Sequence, residues 1–175
     1  DGGKKVMVIG GVTRARLAGS PPIEPDWSMG ASVYPQQTAE LIDAEKREVT
    51  DLGALAWVTP KALSALAASP NGLSIVLTGG MPGDKEQPSD EIQYLIGSVE
   101  SLSQGTGVVI KRGVGPATDG LIVPRMSHTA TWFGGSKPGE GKVLVLGGNF
   151  DEDGTHIAEV LSGSEFQSQM VAIEN

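Results

Sequence analysis

Three short apolar runs in this chain each end in a pair of glycines: Val6-Met7-Val8-Ile9-Gly10-Gly11, Ser74-Ile75-Val76-Leu77-Thr78-Gly79-Gly80 and Lys142-Val143-Leu144-Val145-Leu146-Gly147-Gly148. The second glycines stand 69 and then 68 residues apart. A period of this kind marks a repeat architecture, in which one module cannot bury its apolar surface alone. The runs are short, rich in β-branched residues and bounded by glycine, the pattern of strands rather than helices. A carboxylate follows each pair in a second apolar segment: Ala39-Glu40-Leu41-Ile42, Asp90-Glu91-Ile92-Gln93-Tyr94 and Ala158-Glu159-Val160-Leu161. Glu40, Glu91 and Glu159 fall in separate modules. An acid used once per module is expected to satisfy nearby backbone donors, not to build a shared catalytic centre.

A strand, Gly-Gly, then a strand opening with Glu resembles the kelch repeat, whose four-stranded blades build β-propellers. The stretch Pro124-Arg125-Met126-Ser127-His128-Thr129-Ala130-Thr131-Trp132-Phe133, a polar turn and then Gly141 to Gly148 looks like the passage from one kelch blade to the next. Ala39 to Leu55 is similar to the second and third strands of bacterial kelch blades. The resemblance implies an all-β fold, a partial kelch-type β-propeller occupying residues 1–175 as one repeat domain. Inner strands are expected at 5–10, 73–78 and 142–147, second strands at 39–44, 90–96 and 157–162, third strands at 47–52, 99–103 and 168–174, and outer strands at 61–67 and 126–133. That makes about two and three-quarter blades, spanning 4–67, 73–133 and 142–175, with the third lacking its outer strand. A propeller closes its ring with typically four to eight blades. The remaining blades are therefore expected in cis or in trans. Because the chain opens on the turn Asp1-Gly2-Gly3-Lys4 and stops before an expected strand, a fragment or processed piece is the favoured reading.

One segment sets local propensity against the repeat. Lys61-Ala62-Leu63-Ser64-Ala65-Leu66-Ala67-Ala68 is built of helix formers with Leu63, Leu66 and Ala67 at helical spacing, whereas its place in the repeat predicts a strand. The repeat is allowed to decide, since tertiary context overrides propensity.

Composition bounds the function. With 175 residues, 39% hydrophobic, 25 Gly and 11 Pro, the chain has a core's worth of apolar residues and many turn formers. No apolar run of about 18 residues exists, so no membrane insertion is expected. A net charge of −8 repels phosphate backbones, so nucleic acid is not an expected partner. The absence of Cys excludes disulfides and thiolate metal sites.

Long connections are expected at one end of the strands: 12–38, 81–89, 104–125 and 148–156. Long loops in a compact domain often carry function. The first holds Arg14, Arg16, Trp27 and Tyr34 among four prolines; Trp, Tyr and Arg are the residues that most often anchor interfaces. Trp27 and Tyr34 alternatively pin the loop to the rim. The 105–125 stretch, with Val108-Val109-Ile110 before Lys111 and Arg112, reads as an extra arm or as an excursion folded on its own blade. Asp151-Glu152-Asp153-Gly154 has the outline of a calcium loop, with Asp151 and Asp153 as ligands, but lacks the EF-hand oxygen spacing, so a solvated turn is the preferred reading. His128 and His156 are too far apart in sequence for a histidine metal centre, and the glycine-rich 134–139 turn lacks the helix of a phosphate cradle.

No nucleophile elbow or zinc helix is present. Copper radical oxidases share the kelch propeller, but their Tyr-Cys crosslink needs a cysteine this chain does not have. The expectation is a non-catalytic binding or assembly module, not an enzyme, recognising a protein or glycan through Arg14, Arg16, Trp27, Tyr34, Lys111 and Arg112 on the long-loop face. By resemblance to secreted kelch proteins, an extracellular or cell-surface bacterial location is expected. The alternatives are a piece of a carbohydrate-active propeller enzyme whose site lies elsewhere, and a structural subunit of a filament or large complex.

Overall fold

A computed structural model describes residues 4–14, 33–56, 58–82, 88–98, 101–102, 104–113, 120–135, 140–148, 158–162 and 167–171. It is all-β and antiparallel. In chain order the strands are β1 (Lys5–Ile9), β2 (Val12–Arg14), β3 (Val33–Pro35), β4 (Thr38–Asp43), β5 (Glu48–Ala54), β6 (Lys61–Ala62), β7 (Ala65–Ala68), β8 (Ser74–Thr78), β9 (Met81–Pro82), β10 (Ile92–Ile96), β11 (Val108–Arg112), β12 (Thr129–Gly134), β13 (Gly141–Leu146), β14 (Ala158–Ser162) and β15 (Gln167–Val171). Three larger sheets carry the repeat: β1-β4-β5, β7-β8-β10-β11 and β12-β13-β14-β15. Two small ribbons, β2-β3 and β6-β9, are built from the connections.

All three glycine-tipped runs are strands (β1, β8 and β13), each paired with the acid-bearing or glutamine-bearing strand that follows it. Their place within the sheets differs from the expectation. Of the stretches 61–67 and 126–133, expected as single strands closing the first and second modules, Lys61–Ala62 form β6 against β9 and 126–128 lie in a turn; only the later parts are in β7 (Ala65–Ala68) and β12 (Thr129–Gly134), which pair with β8 and β13 of the next sheet. The reason is the short connection between them. Ser69 N–H donates to the Ser74 carbonyl (2.8 Å) and Gly72 N–H to the Ser69 carbonyl (2.8 Å), a tight hairpin that leaves β7 no partner but β8. The glycine strands β8 and β13 are thus second in four-stranded sheets, whereas β1 is the edge strand of a sheet of three among the described residues. The helix-prone Ala65–Ala68 segment is a strand, because the β8 edge it covers outweighs local propensity.

The second correction concerns 99–103, expected as a third strand. Where described, it is a helical turn: Leu102 N–H donates to the Ser98 carbonyl (2.9 Å), Ser101 N–H to Ser98 Oγ (3.2 Å), and Leu102 is buried. Serines bond locally to backbone and favour such turns. The third strand is β11, so Lys111 and Arg112 belong to a regular sheet strand and not to an inserted arm.

The sheets stack face to face. In each glycine strand, residues two and four before the first glycine form one face, here the front; residues one and three before it form the back. Val143 and Val145 on the front of the third sheet, with Leu161, pack on Val76, Ile92 and Tyr94 on the back of the second. Ile75, Leu77 and Leu95 on the front of the second sheet pack on Met7 and Ile9 on the back of the first. The middle sheet is buried on both faces, which is why every residue of β8 is buried. The centre of that strand, Ile75-Val76-Leu77, is therefore apolar on both faces.

Candidate functional site

Ahead of β7 and β12 the chain makes the same turn twice. Thr59-Pro60-Lys61-Ala62-Leu63-Ser64 and Val123-Pro124-Arg125-Met126-Ser127-His128 each place a cation four residues before the strand. Leu63 (φ 58°) and Ser127 (φ 54°) take the left-handed conformation at the matching position. The second glycine of each pair lies under this turn. A Cβ on Gly80 would come 2.8 Å from the Ala62 carbonyl and 3.2 Å from Lys61 Cβ; one on Gly148 would come 2.6 Å from the Met126 carbonyl and 3.4 Å from Arg125 Cβ. Both glycines also have positive φ, 97° and 101°. The Gly-Gly mark is therefore the seat of a buried cation turn. Aligning the two Pro-cation segments by their offset from the strand is the signal that finds Lys61 and Arg125 in the sequence.

Each cation meets an acid. Arg125 and Glu159 are fully buried, with Nη2 2.6 Å from Oε1. Glu159 also accepts from the backbone N–H of Ile122 (2.7 Å) and Val123 (3.2 Å) and from Ser168 Oγ (2.5 Å). This is the backbone-satisfying role expected of the once-per-module acid. Arg125 also donates to the Val123 carbonyl (3.3 Å) and the Gly147 carbonyl (2.9 Å).

In the second sheet the acid is displaced. Glu159 pairs across with Val145 and Glu40 with Val8, each two residues before the first glycine; the equivalent residue, Leu77, pairs with Gln93. Gln93, not Glu91, is therefore the structural counterpart of Glu40 and Glu159. Gln93 Nε2 donates to Glu91 Oε1 (2.7 Å) and to Thr59 Oγ1, Thr59 Oγ1 donates to Glu91 Oε1 (2.8 Å), and Lys61 Nζ lies 3.1 Å from Glu91 Oε2. Burial depresses the Lys61 ammonium below its usual range, only partly offset by Glu91. Burial alone would raise the Glu91 carboxyl, but Lys61 and the bonds from Thr59 and Gln93 hold it below the ordinary value. The cation turn also carries His128, whose Nε2 is 2.7 Å from Thr78 Oγ1. Burial, then the Arg125 charge, lowers its pKa to about 4, so it is neutral at physiological pH.

Among the described residues the first sheet presents the same frame without its cover. Among the described residues no strand lies on the other edge of β1. A Cβ on Gly11 would meet nothing within 4 Å, although φ is 118° there as well. Glu40 is exposed. Val6 and Val8, the counterparts of the fully buried Val143 and Val145, are 51% and 46% exposed, and Val49, two strands from Val6 in the same cross-strand row, is 64% exposed.

The strand topology sets the backbone of Arg14, Tyr34, Lys111 and Arg112 at the glycine end of the sheets: Arg14 and Tyr34 in the β2-β3 ribbon, Lys111 and Arg112 at the end of β11. Lys111 is exposed and its Nζ donates to Thr59 Oγ1 (3.0 Å), so it caps the Lys61–Glu91 network. The side chains of Arg14, Tyr34 and Arg112 lie outside the described atoms, and Arg16, Trp27, Asp151 and Asp153 lie outside the described residues. Among the described residues no three His, Cys, Asp or Glu side chains are grouped to hold a metal, and no helix is long and apolar enough to cross a membrane. The chain matches no protein-family model and no curated protein sequence.

Proposed function

We propose that this chain is a rigid binding and assembly module, a kelch-like propeller segment whose end faces meet further sheets and whose glycine-end loops recognise a protein or glycan. The observation that carries this reading is the exposed front of the first sheet, where Val6 and Val8 have no cover among the described residues. The same face is packed away in the second and third sheets, so the fold itself supplies the covering it expects: the back of another such sheet. At the opposite end of the stack Leu146 and Phe133, 37% and 42% exposed, offer an apolar back face. A front and a back on one molecule make a head-to-tail surface, which closes a ring or extends a stack according to the rotation per step.

The ionisable groups support a non-catalytic role. Both oxygens of Glu159 and those of Glu91 hold strands and turns in place. An exported or surface location belongs to the same reading, through the kelch resemblance. The assembly version, a subunit of a larger particle, is favoured by the two apolar end faces.

Sedimentation of the chain over a range of concentrations tests the proposal. Concentration-dependent association is expected, and the double substitution Val6→Lys, Val8→Lys should abolish it without unfolding the sheet, since both side chains are already exposed. A monodisperse monomer that binds no apolar dye, unchanged by those lysines, would refute it.

A further inference from the structure

We propose that the open edge of β1, with Gly11 and Glu40, is a docking slot for an extended strand headed by a buried cation, of the pattern Pro-Lys/Arg-x-x-Ser/His. The inference rests on the reading of the chain as a module completed from outside, and adds which chemistry completes the first sheet. Two occupied copies of the slot are present in the molecule itself. In the third sheet β12 pairs with β13 from Thr129↔Leu146 to Gly134↔Gly141, His128 packs over Gly148, and Arg125 reaches Glu159. In the second sheet β7 pairs with β8 from Ala65↔Thr78 to Ala68↔Ile75, Ser64 packs over Gly80, and Lys61 reaches Glu91.

Each component of the slot is present in the first sheet with its occupant missing among the described residues. Among the described residues no strand pairs with the outer edge of β1, the arrangement that strand addition uses. Gly11 keeps the positive φ that makes room for the turn, with nothing in that room. Glu40 holds the register position of Glu159 and is exposed. A Val-rich strand edge with a lone acid beside it selects an apolar strand with a basic head over an acidic one. By the register of the other sheets, the first paired residue of the incoming strand lies opposite Ile9, and its cation is four residues earlier, above Glu40.

The chain carries its own probe. A labelled synthetic peptide of residues 123–134, which contains Arg125, His128 and β12, is titrated with the intact chain and followed by fluorescence anisotropy. Saturable binding is expected. Replacing the peptide arginine by Gln, or making Glu40→Gln in the chain, should weaken it about ten- to hundred-fold, the range of a charge-assisted contact. The two changes together should weaken it no further than either alone. Glu45→Gln, in the turn at the far end of β4, should leave binding unchanged. Gly11→Val, which fills the notch, should reduce it.

Absence of binding at millimolar peptide, or equal binding to the Glu40→Gln chain, would overturn the proposal. Such a failure is separable from failure of the assembly reading. Strand pairing on the β1 edge is independent of the Val6 and Val8 lysines that test the face, and a monomer in sedimentation is free to bind the peptide.

Discussion

Glu40 and Glu159 occupy one register position in two copies of the same module, so replacing each by Gln is an internally controlled experiment. In Glu159→Gln the new amide has one oxygen where the carboxylate had two. Either orientation turns an NH2 group toward two donors: Arg125 and the Val123 N–H on one side, or the Ile122 N–H and Ser168 on the other. In both, Arg125 becomes a fully buried cation that has lost the Glu159 charge, while its contacts to the Val123 and Gly147 carbonyls stay in place. Breaking one side of a buried pair costs about 3–5 kcal/mol. Against a total stability of about 5–15 kcal/mol, that is a large share. For a chain of this size about 1 kcal/mol moves the melting temperature by about 2–4 °C, so a drop of about 6–20 °C is expected. Glu40→Gln touches an exposed side chain and should stay within about 0.5 kcal/mol of the parent. Thermal melts followed by circular dichroism and tryptophan fluorescence read both. The double change Arg125→Met, Glu159→Gln removes both charges and should recover part of the loss. Equal melting shifts for Glu40→Gln and Glu159→Gln, or a shift of under 2 °C in the latter, would refute the claim that the cation turn is what buries the acid.

The glycines give a second graded series. Gly11→Ala should cost only the backbone strain of a positive φ, about 1–2 kcal/mol, whereas Gly80→Ala and Gly148→Ala add a collision with the Ala62 or Met126 carbonyl and should cost at least about 1–3 kcal/mol more in chemical denaturation. Acid should destabilise the protein through His128. Its folded pKa, about 4, lies below the unfolded value of 6.5, so the unfolded chain binds more protons between them; stability is complete above pH 6.5 and falls as pH drops toward 4, by about 3 kcal/mol. His128→Asn should flatten that part of the stability-pH profile, while the Glu91 contribution, whose folded value is also lowered, is lost only below its ordinary value of 4.5.

The three glycine strands and their partners were legible because β-branched runs ending in Gly-Gly state both the element and its end, and because a period near 69 residues repeats them. The phase of the sheet was less so. The turn Ser69-Pro70-Asn71-Gly72 is a hairpin signal that joins β7 to β8, but a repeat counted from the glycine strand puts β7 at the end of the preceding module. At 99–103 the serines that bond back to Ser98 are short and polar, and nothing in a single sequence separates such a turn from a weak strand. The misplaced acid has a plainer cause. Glu91 and Gln93 are two residues apart and project to the same face, so alternation does not tell which one stands opposite Leu77. The cation turn was legible in principle, since Pro60-Lys61 and Pro124-Arg125 stand at one offset from β7 and β12, but only a register comparison gives that offset meaning.

The buried charges answer a problem that the apolar pattern leaves open. A slip of one residue between β13 and β14 would turn Leu161 and Glu159 from the packed face to the other, which hydrophobicity alone resists. A slip of two would restore every apolar residue to a buried face, so the faces alone do not forbid it. What forbids it is Glu159, whose displacement would take the carboxylate away from the buried Arg125 charge and from the Ile122 and Val123 N–H groups. Lys61 with Glu91 and Gln93 does the same for β8 and β10. A buried ion pair adds little net stability over an apolar pair, yet it penalises the near-miss alignments by several kcal/mol, which is specificity of register. On this argument Glu40 is a register key without its lock among the described residues, and the first sheet acquires a unique alignment for its incoming strand only when a cation arrives with it.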